Sequence, residues 1–148
     1  MSGSDPSLTS LFTSEHRRLD GLLGRFLAAA GAADTGSARE AMRAFDDALR
    51  RHTALEEERL FLRKPEEKLL PPAQEGERER LFRELALEHV QIRELSGILL
   101  RLLEKEDLSS ARALIGNLLS RWDAHTAREE RDAYPISDSP EGPPCSSA

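Results

Sequence analysis

Two histidines of this chain each have a glutamate four residues later, and side chains at this spacing can bind metal ions. The pairs are His52 with Glu56 and His125 with Glu129. Residues i and i+4 lie on the same face of a helix, so each pair can bind one metal ion or bridge two. Imidazole and carboxylate ligands together suit iron, manganese or zinc, and no thiolate lies in the pattern to favour a softer metal.

The remaining two histidines extend this pattern into an internal repeat. His16 and His89 are 73 residues apart, and the same interval separates the two His-x-x-x-Glu pairs. Neighbouring glutamates follow the same interval, since Glu15 matches Glu88 and Glu57 matches Glu130. The two halves of the chain therefore resemble copies of one helical hairpin related by a pseudo-two-fold axis. We predict six ligands in two equivalent sets: His16, His52, Glu56, His89, His125 and Glu129.

The elements that would position these residues are four amphipathic helices, predicted from the apolar period at about 7–30, 37–63, 77–106 and 110–133. Ser37 with Glu40 has the spacing of a capping box, Gly31 is a predicted stop and Pro135 is predicted to end the fourth helix. The expected fold is all-α, an antiparallel up-down-up-down four-helix bundle over residues 1–135. Residues 136–148, rich in Ser, Pro and Gly, are predicted to be a disordered tail.

In such a bundle all four histidines fall on core-facing positions at a similar depth, given a rise of about 1.5 Å per residue. Two buried glutamates without partners would be costly. A cation between them would offset that cost and accept neutral imidazole as a further ligand. The expected centre holds two ions, each with two histidines, in one layer of the bundle.

Composition excludes several other functional classes. The net charge is −6 and no basic face is evident, so nucleic-acid binding has little support. No apolar run approaches the length of a membrane span, and the polar N-terminus lacks the apolar core of a signal peptide. The single cysteine, Cys145, cannot form an intramolecular disulfide. The expectation is a cytoplasmic protein, monomeric or homodimeric, with no membrane or nucleic-acid partner.

The order of these residues resembles the hemerythrin-like, HHE cation-binding domain family, over residues 7–135. The resemblance includes Glu56-Glu57-Glu58 followed by Leu60-Phe61, and the ending from Glu129-Glu130 to Tyr134-Pro135. It implies that Glu56 and Glu129 bridge two iron ions (Fe2+/Fe3+), joined by an oxo or hydroxo bridge. The four histidines would then be terminal ligands, and the partners would be O2, H2O2 or NO.

One departure from the oxygen carriers of this family bears on function. Those proteins have a His-x-x-x-His pair on the third helix, whereas Arg93 stands four residues after His89 and Leu85 four residues before it. The chain thus resembles the four-histidine subgroup, for which peroxide decomposition and responses to oxidative or nitrosative stress are the implied activities. Two alternatives stay open: an iron, oxygen or NO sensor or storage module without turnover, and a di-iron oxidase of an organic substrate.

Several residues near the six have two interpretations. Tyr134 is expected to pack in the core. The alternative is that its phenol lies beside the site and acts as a hydrogen-bond donor or redox relay. Trp122 is expected to pack in the core. Glu15, Glu57, Glu88 and Glu130 are candidates for an extra ligand, although adjacent helical residues point about 100° apart and so argue against it.

Overall fold

The computed structural model describes residues 7–61 and 76–137, and this part of the chain is almost entirely helical. The helices are α1 (Leu8–Gly31), α2 (Thr35–Glu56), α3 (Glu77–Glu104), α4 (Leu108–Arg128) and the short α5 (Tyr134–Ser137). Two single π-helical turns adjoin these helices. The first, π1 (Glu57–Phe61), follows α2, and the second, π2 (Glu129–Ala133), joins α4 to α5. The all-α four-helix bundle is confirmed.

Consecutive helices pack on one another, α1 on α2, α2 on α3 and α3 on α4. Contacts along each pair run in opposite directions. On α2 and α3, for example, Asp46 meets Ser96 and Glu57 meets His89. This order is that of antiparallel neighbours.

The turn between α1 and α2 and the turn between α3 and α4 have the same construction. Each contains one non-glycine residue with positive φ, Ala33 (56°) and Glu106 (60°). The next residue, Asp34 or Asp107, donates its N–H back across the turn to Ala29 or Leu102 at 2.9 and 2.8 Å. This is the hydrogen bond of a Schellman motif. The repeat therefore extends to the backbone of the two hairpin turns.

The core has two parts on either side of the polar layer. The larger cluster lies towards the hairpin turns and includes Phe26, Phe45, Leu99 and Trp122. The smaller cluster lies at the other end and includes Phe12, Phe61, Phe82, Leu85 and Tyr134. Trp122 packs in the core as expected, and its indole N–H donates to Asp20 at 2.7 Å. Apolar packing thus encloses the polar layer from both ends of the bundle.

Two sequence-based predictions about helix ends are wrong. Asp34 rather than Ser37 caps α2, because its carboxylate accepts the backbone N–H of Ser37 at 3.1 Å. Pro135 does not end the last helix, since α5 continues to Ser137. The preceding π2 turn changes the hydrogen-bond register at this point, and the first turn of a helix tolerates a residue without an N–H.

Some expectations fall on residues outside the described ranges. The predicted connection at 64–76 lies outside these ranges, with the exception of Gly76. Most of the predicted tail, including Cys145, lies outside them as well. No helix in the described ranges is long and apolar enough to cross a membrane.

Candidate metal centre

The six predicted side chains meet in one buried layer of the bundle, and all are at most 3% exposed. His16 of α1 lies beside His52 of α2, with ring centroids 4.9 Å apart. His89 of α3 lies beside His125 of α4, with centroids 4.7 Å apart. Glu56 is the last residue of α2 and Glu129 is the first residue of π2, and both reach between these two histidine pairs.

The ligand atoms form two groups that share both glutamates. The first group contains His16, His52, Glu56 and Glu129, and the second contains His89, His125 and the same two glutamates. Within each group the candidate ligand atoms all lie within 4.8 Å of one another. Each group offers two imidazoles and two carboxylates, a donor set that suits a hard or borderline metal ion.

Among the described residues, three buried atoms at the centre of this layer make no hydrogen bond of good geometry, although a ligand atom of another residue lies 2.9–3.1 Å from each. They are Nε2 of His52, Nε2 of His125 and Oε1 of Glu56. Oε2 of Glu56 lies 3.1 Å from Nε2 of His52, and Oε2 of Glu129 lies 2.9 Å from Nε2 of His125. Buried polar atoms rarely lack a partner, so these atoms fit a cation between them.

The charges around the histidines favour positive charge in this layer. Burial alone would lower the pKa of His52, but contacts with Glu15 and Glu56 outweigh it and raise the pKa to about 9. Burial likewise opposes the contacts with Glu129 and Glu56 that raise the pKa of His89 well above its usual value. Burial would raise the pKa of Glu129, yet its histidine contacts hold that pKa well below the usual range. Protons or metal ions can supply the positive charge.

A glutamate from a neighbouring helix or π turn contacts the outward nitrogen, Nδ1, of every histidine. The pairs and their Nδ1–oxygen distances are Glu15 with His52 (2.5 Å), Glu57 with His89 (2.8 Å), Glu88 with His125 (2.7 Å) and Glu130 with His16 (2.7 Å). We call these four residues the outer glutamates. Such contacts hold Nδ1 as the donor and direct Nε2 towards the centre.

The structure thus decides the role of these four glutamates. From the sequence they were candidates for an extra ligand. In the structure their carboxylates contact Nδ1, on the side of each histidine ring that faces away from the centre. The signal that could have found them was the 73-residue interval, which they share with the inner residues. Adjacent glutamates in the chain have different roles, since Glu56 points into the layer and Glu57 reaches sideways to His89.

The two π turns begin at or next to the inner glutamates, π1 at Glu57 and π2 at Glu129. A π turn contains more residues than an α-helical turn, and such turns are frequent at functional sites. Sequence periodicity did not predict them. They shift the register of the chain behind the centre. The π1 turn ends at Phe61, whose ring stacks on His89, and the π2 turn precedes Tyr134, whose ring lies beside His16.

Tyr134 places its hydroxyl group inside the layer. The hydroxyl donates to Oε2 of Glu56 and lies 3.1 Å from Oε1 of Glu129 and 2.8 Å from Nε2 of His16. Its ring packs against Phe12, with centroids 5.5 Å apart. Burial and the charges of Glu56 and Glu129 raise the pKa of Tyr134, so the phenol keeps its proton. Tyr134 therefore belongs both to the core and to the site.

Comparison with known proteins agrees with this geometry. Residues 7–137 match the model of the hemerythrin HHE cation-binding domain. The chain belongs to this family. No curated protein and no solved structure shows a significant match. Within the hemerythrin family a metal cofactor, typically iron, is implied, and the His/Glu groups of this domain suit one.

Proposed function

We propose that this hemerythrin-family domain is a non-haem di-iron protein that reacts with peroxide, dioxygen or nitric oxide. The observation that carries the proposal is the pair of buried four-residue groups sharing Glu56 and Glu129. In this proposal His16 and His52 would hold one ion, His89 and His125 would hold the other, and Glu56 and Glu129 would contribute to both. Two iron ions held in this way would supply one- or two-electron redox chemistry for small oxidants.

The surrounding residues would assist by fixing charge and protons. The outer glutamates orient each imidazole and increase its donor strength. Tyr134 holds a proton at its hydroxyl oxygen, next to Glu56 and Glu129. A proton at this place is available to an oxygen atom of a small reactant, and the buried layer limits access of bulk water.

The size of the spaces beside the centre also favours small reactants. One groove beside His52 has a volume of about 330 Å³, and one beside His125 has about 210 Å³. Sites for drug-sized organic molecules usually have volumes of about 300–1,000 Å³. The groove beside His125 lies below this range and the groove beside His52 lies at its lower end, which supports a small reactant over a large organic substrate.

The test is to load the purified protein anaerobically with Fe2+ and measure iron per chain, then add H2O2 or O2. We expect two irons per chain, a new oxo-to-iron charge-transfer absorption and consumption of peroxide. A Glu129→Ala variant should show none of the three. One structural zinc per chain, or iron loading without any spectral or chemical response to oxidant, would contradict this proposal.

A second candidate is a sensor without turnover, favoured by the contact of Tyr134 with Glu56 and His16. This contact joins the centre to α5, the last helix described. Iron or ligand occupancy would then change the stability of α5. Hydrogen exchange of residues 129–137 should slow at least severalfold on iron loading, while peroxide consumption stays at the level of free iron. Rapid turnover of peroxide would decide against the sensor.

A further inference from the structure

The two halves of the candidate metal centre have the same inner ligands, but the residues on their outer surfaces differ. Each histidine-bearing hairpin has a groove between its two helices, and the two grooves are equivalent under the 73-residue repeat. The first groove reaches His52 and Glu15, and the second reaches His125 and Glu88. Their volumes are about 330 and 210 Å³, so the second groove is the smaller of the two.

Each groove is lined by two arginines, but at different positions. The second groove has Arg121 and Arg128 where the first has Ala48 and Leu55. The first groove has Arg18 and Arg51 where the second has Gln91 and Ala124. The guanidinium of Arg121 donates to Oε1 of Gln91 at 3.0 Å. This hydrogen bond links α4 to α3 across the second groove.

Arg128 also fixes the outer glutamate of the second groove. Its Nη1 donates to Oε2 of Glu88 at 2.8 Å, while Oε1 of Glu88 contacts Nδ1 of His125. Arg128 further contacts Glu84, which holds the guanidinium in place. Glu88 thus has both oxygens engaged and cannot rotate without breaking two contacts.

The matching residue of the first groove is less restrained. Oε1 of Glu15 contacts Nδ1 of His52, and the side chain is as exposed as that of Glu88. Arg18 and Arg51 line this groove, and Arg18 is near enough to help lower the pKa of Glu15 after the larger effect of His52. Within residues 7–61 and 76–137, however, neither arginine forms an ion pair or hydrogen bond with Glu15. Glu15 can therefore rotate into the groove with the loss of one contact.

We propose that the groove beside His52 is the entrance by which metal ions reach the centre, with Glu15 as its mobile carboxylate. In the equivalent groove beside His125, the contacts of Arg121 and Arg128 hold α3 and α4 together and restrain Glu88, which slows the passage of ions. The inference rests on the proposed two-metal centre. It follows that the position of His16 and His52 fills quickly and that of His89 and His125 slowly, even though the inner ligands are the same.

The test is stopped-flow binding of Co2+, used as a spectroscopic probe, to the full-length metal-free protein. The wild type should bind two ions in two resolved phases. His52→Ala should remove the fast phase and keep a slow one, whereas its counterpart His125→Ala should remove the slow phase and keep the fast one. Equal rates for the two variants would overturn the inference.

Exchange of residues between the halves provides a test without changing any ligand. Arg128→Leu installs the residue of the first groove and should speed the slow phase by about two- to fivefold, the kinetic equivalent of losing one partly exposed ion pair. Leu55→Arg makes the reverse change and should slow the fast phase by a similar factor. Arg112→Leu, an exposed arginine elsewhere on α4, is the matched control and should leave both phases unchanged.

The outcomes separate this inference from the proposed function. Two Co2+ ions bound at one common rate, or swap variants that leave both phases unchanged, would overturn the entrance while leaving a two-metal centre intact. Failure of the wild type to bind Co2+ or Fe2+ at all would overturn the centre and, with it, the entrance.

Discussion

The carboxylate of Glu88 lies 2.7 Å from Nδ1 of His125, on the side of the ring that faces away from the candidate metal centre. Glu15 has the same relationship to His52 across the first hairpin, at 2.5 Å. Both histidines therefore have a fixed Nδ1–H donor and present Nε2 to the layer that contains Glu56 and Glu129.

Loss of an outer carboxylate should weaken metal binding without removing a ligand. We expect Glu88→Gln or Glu15→Gln to lower metal affinity by about 10- to 100-fold, the usual effect of removing such a partner of a metal-bound histidine. Competition titration against a chelator measures it. Glu58→Gln is the control, because Glu58 is exposed on the same bundle. Unchanged affinity in both variants would contradict the role assigned to the outer glutamates.

Substitution of the inner residues should change the number of bound ions. Glu129→Ala should lose both ions, because Glu129 belongs to both groups, whereas His52→Ala should lose or weaken only one. Elemental analysis after anaerobic iron loading gives the number of ions per chain. Glu58→Ala should retain the wild-type number. Full loading of Glu129→Ala would show that the ions bind elsewhere.

Metal removal should lower the thermal stability of the domain. An ion at 1,000 times its dissociation constant adds about 4 kcal/mol to the folded state. For a chain of this size about 1 kcal/mol corresponds to roughly 2–4 °C in Tm, so chelation should lower Tm by about 8–16 °C for each ion bound at that excess. Glu129→Ala should melt at the same temperature with and without chelator. An unchanged wild-type Tm would mean that metal does not bind the folded bundle.

Removal of the Tyr134 hydroxyl should lower the free energy of unfolding by different amounts in the metal-free and the metal-loaded protein. Tyr134→Phe keeps the ring packing but removes the hydroxyl that donates to Glu56 and lies 3.1 Å from Glu129. In the metal-free protein the loss should be about 1–3 kcal/mol, as for other buried polar groups that lose a partner. In the metal-loaded protein it should be smaller, since the ions then bind the same carboxylates. Urea unfolding of both forms tests this, and a larger loss in the loaded form would contradict it.

A polar contact away from the centre provides a prediction about folding alone. Ser96 is fully buried on α3 and donates to Oδ1 of Asp46 at 2.8 Å, while Arg50 holds the other carboxylate oxygen at 2.9 Å. Ser96→Ala should cost about 1–3 kcal/mol of stability by leaving a mostly buried carboxylate oxygen without its donor. Metal content should not change. A decrease in bound metal would indicate that this contact also positions the centre.

Helical periodicity and the 73-residue repeat were enough to predict the bundle and to place six polar residues on its inner face. This succeeded because residues four apart must share a helix face, and because a repeat at constant interval gives both halves the same geometry. Helix ends were less accurate. Asp34 and Ser37 are both good caps, and only the turn geometry at Ala33 selects Asp34.

The sequence by itself determined which side chains face the inside of the bundle and that they come in two equivalent sets. Only the tertiary structure decided which glutamate contacts which histidine, where the Tyr134 hydroxyl lies and which of the two grooves carries arginine contacts. The physical reason is that a helix fixes directions around its own axis. Distances between side chains of different helices depend on the register and separation of those helices, and in this domain on the two π turns that shift the register beside the centre.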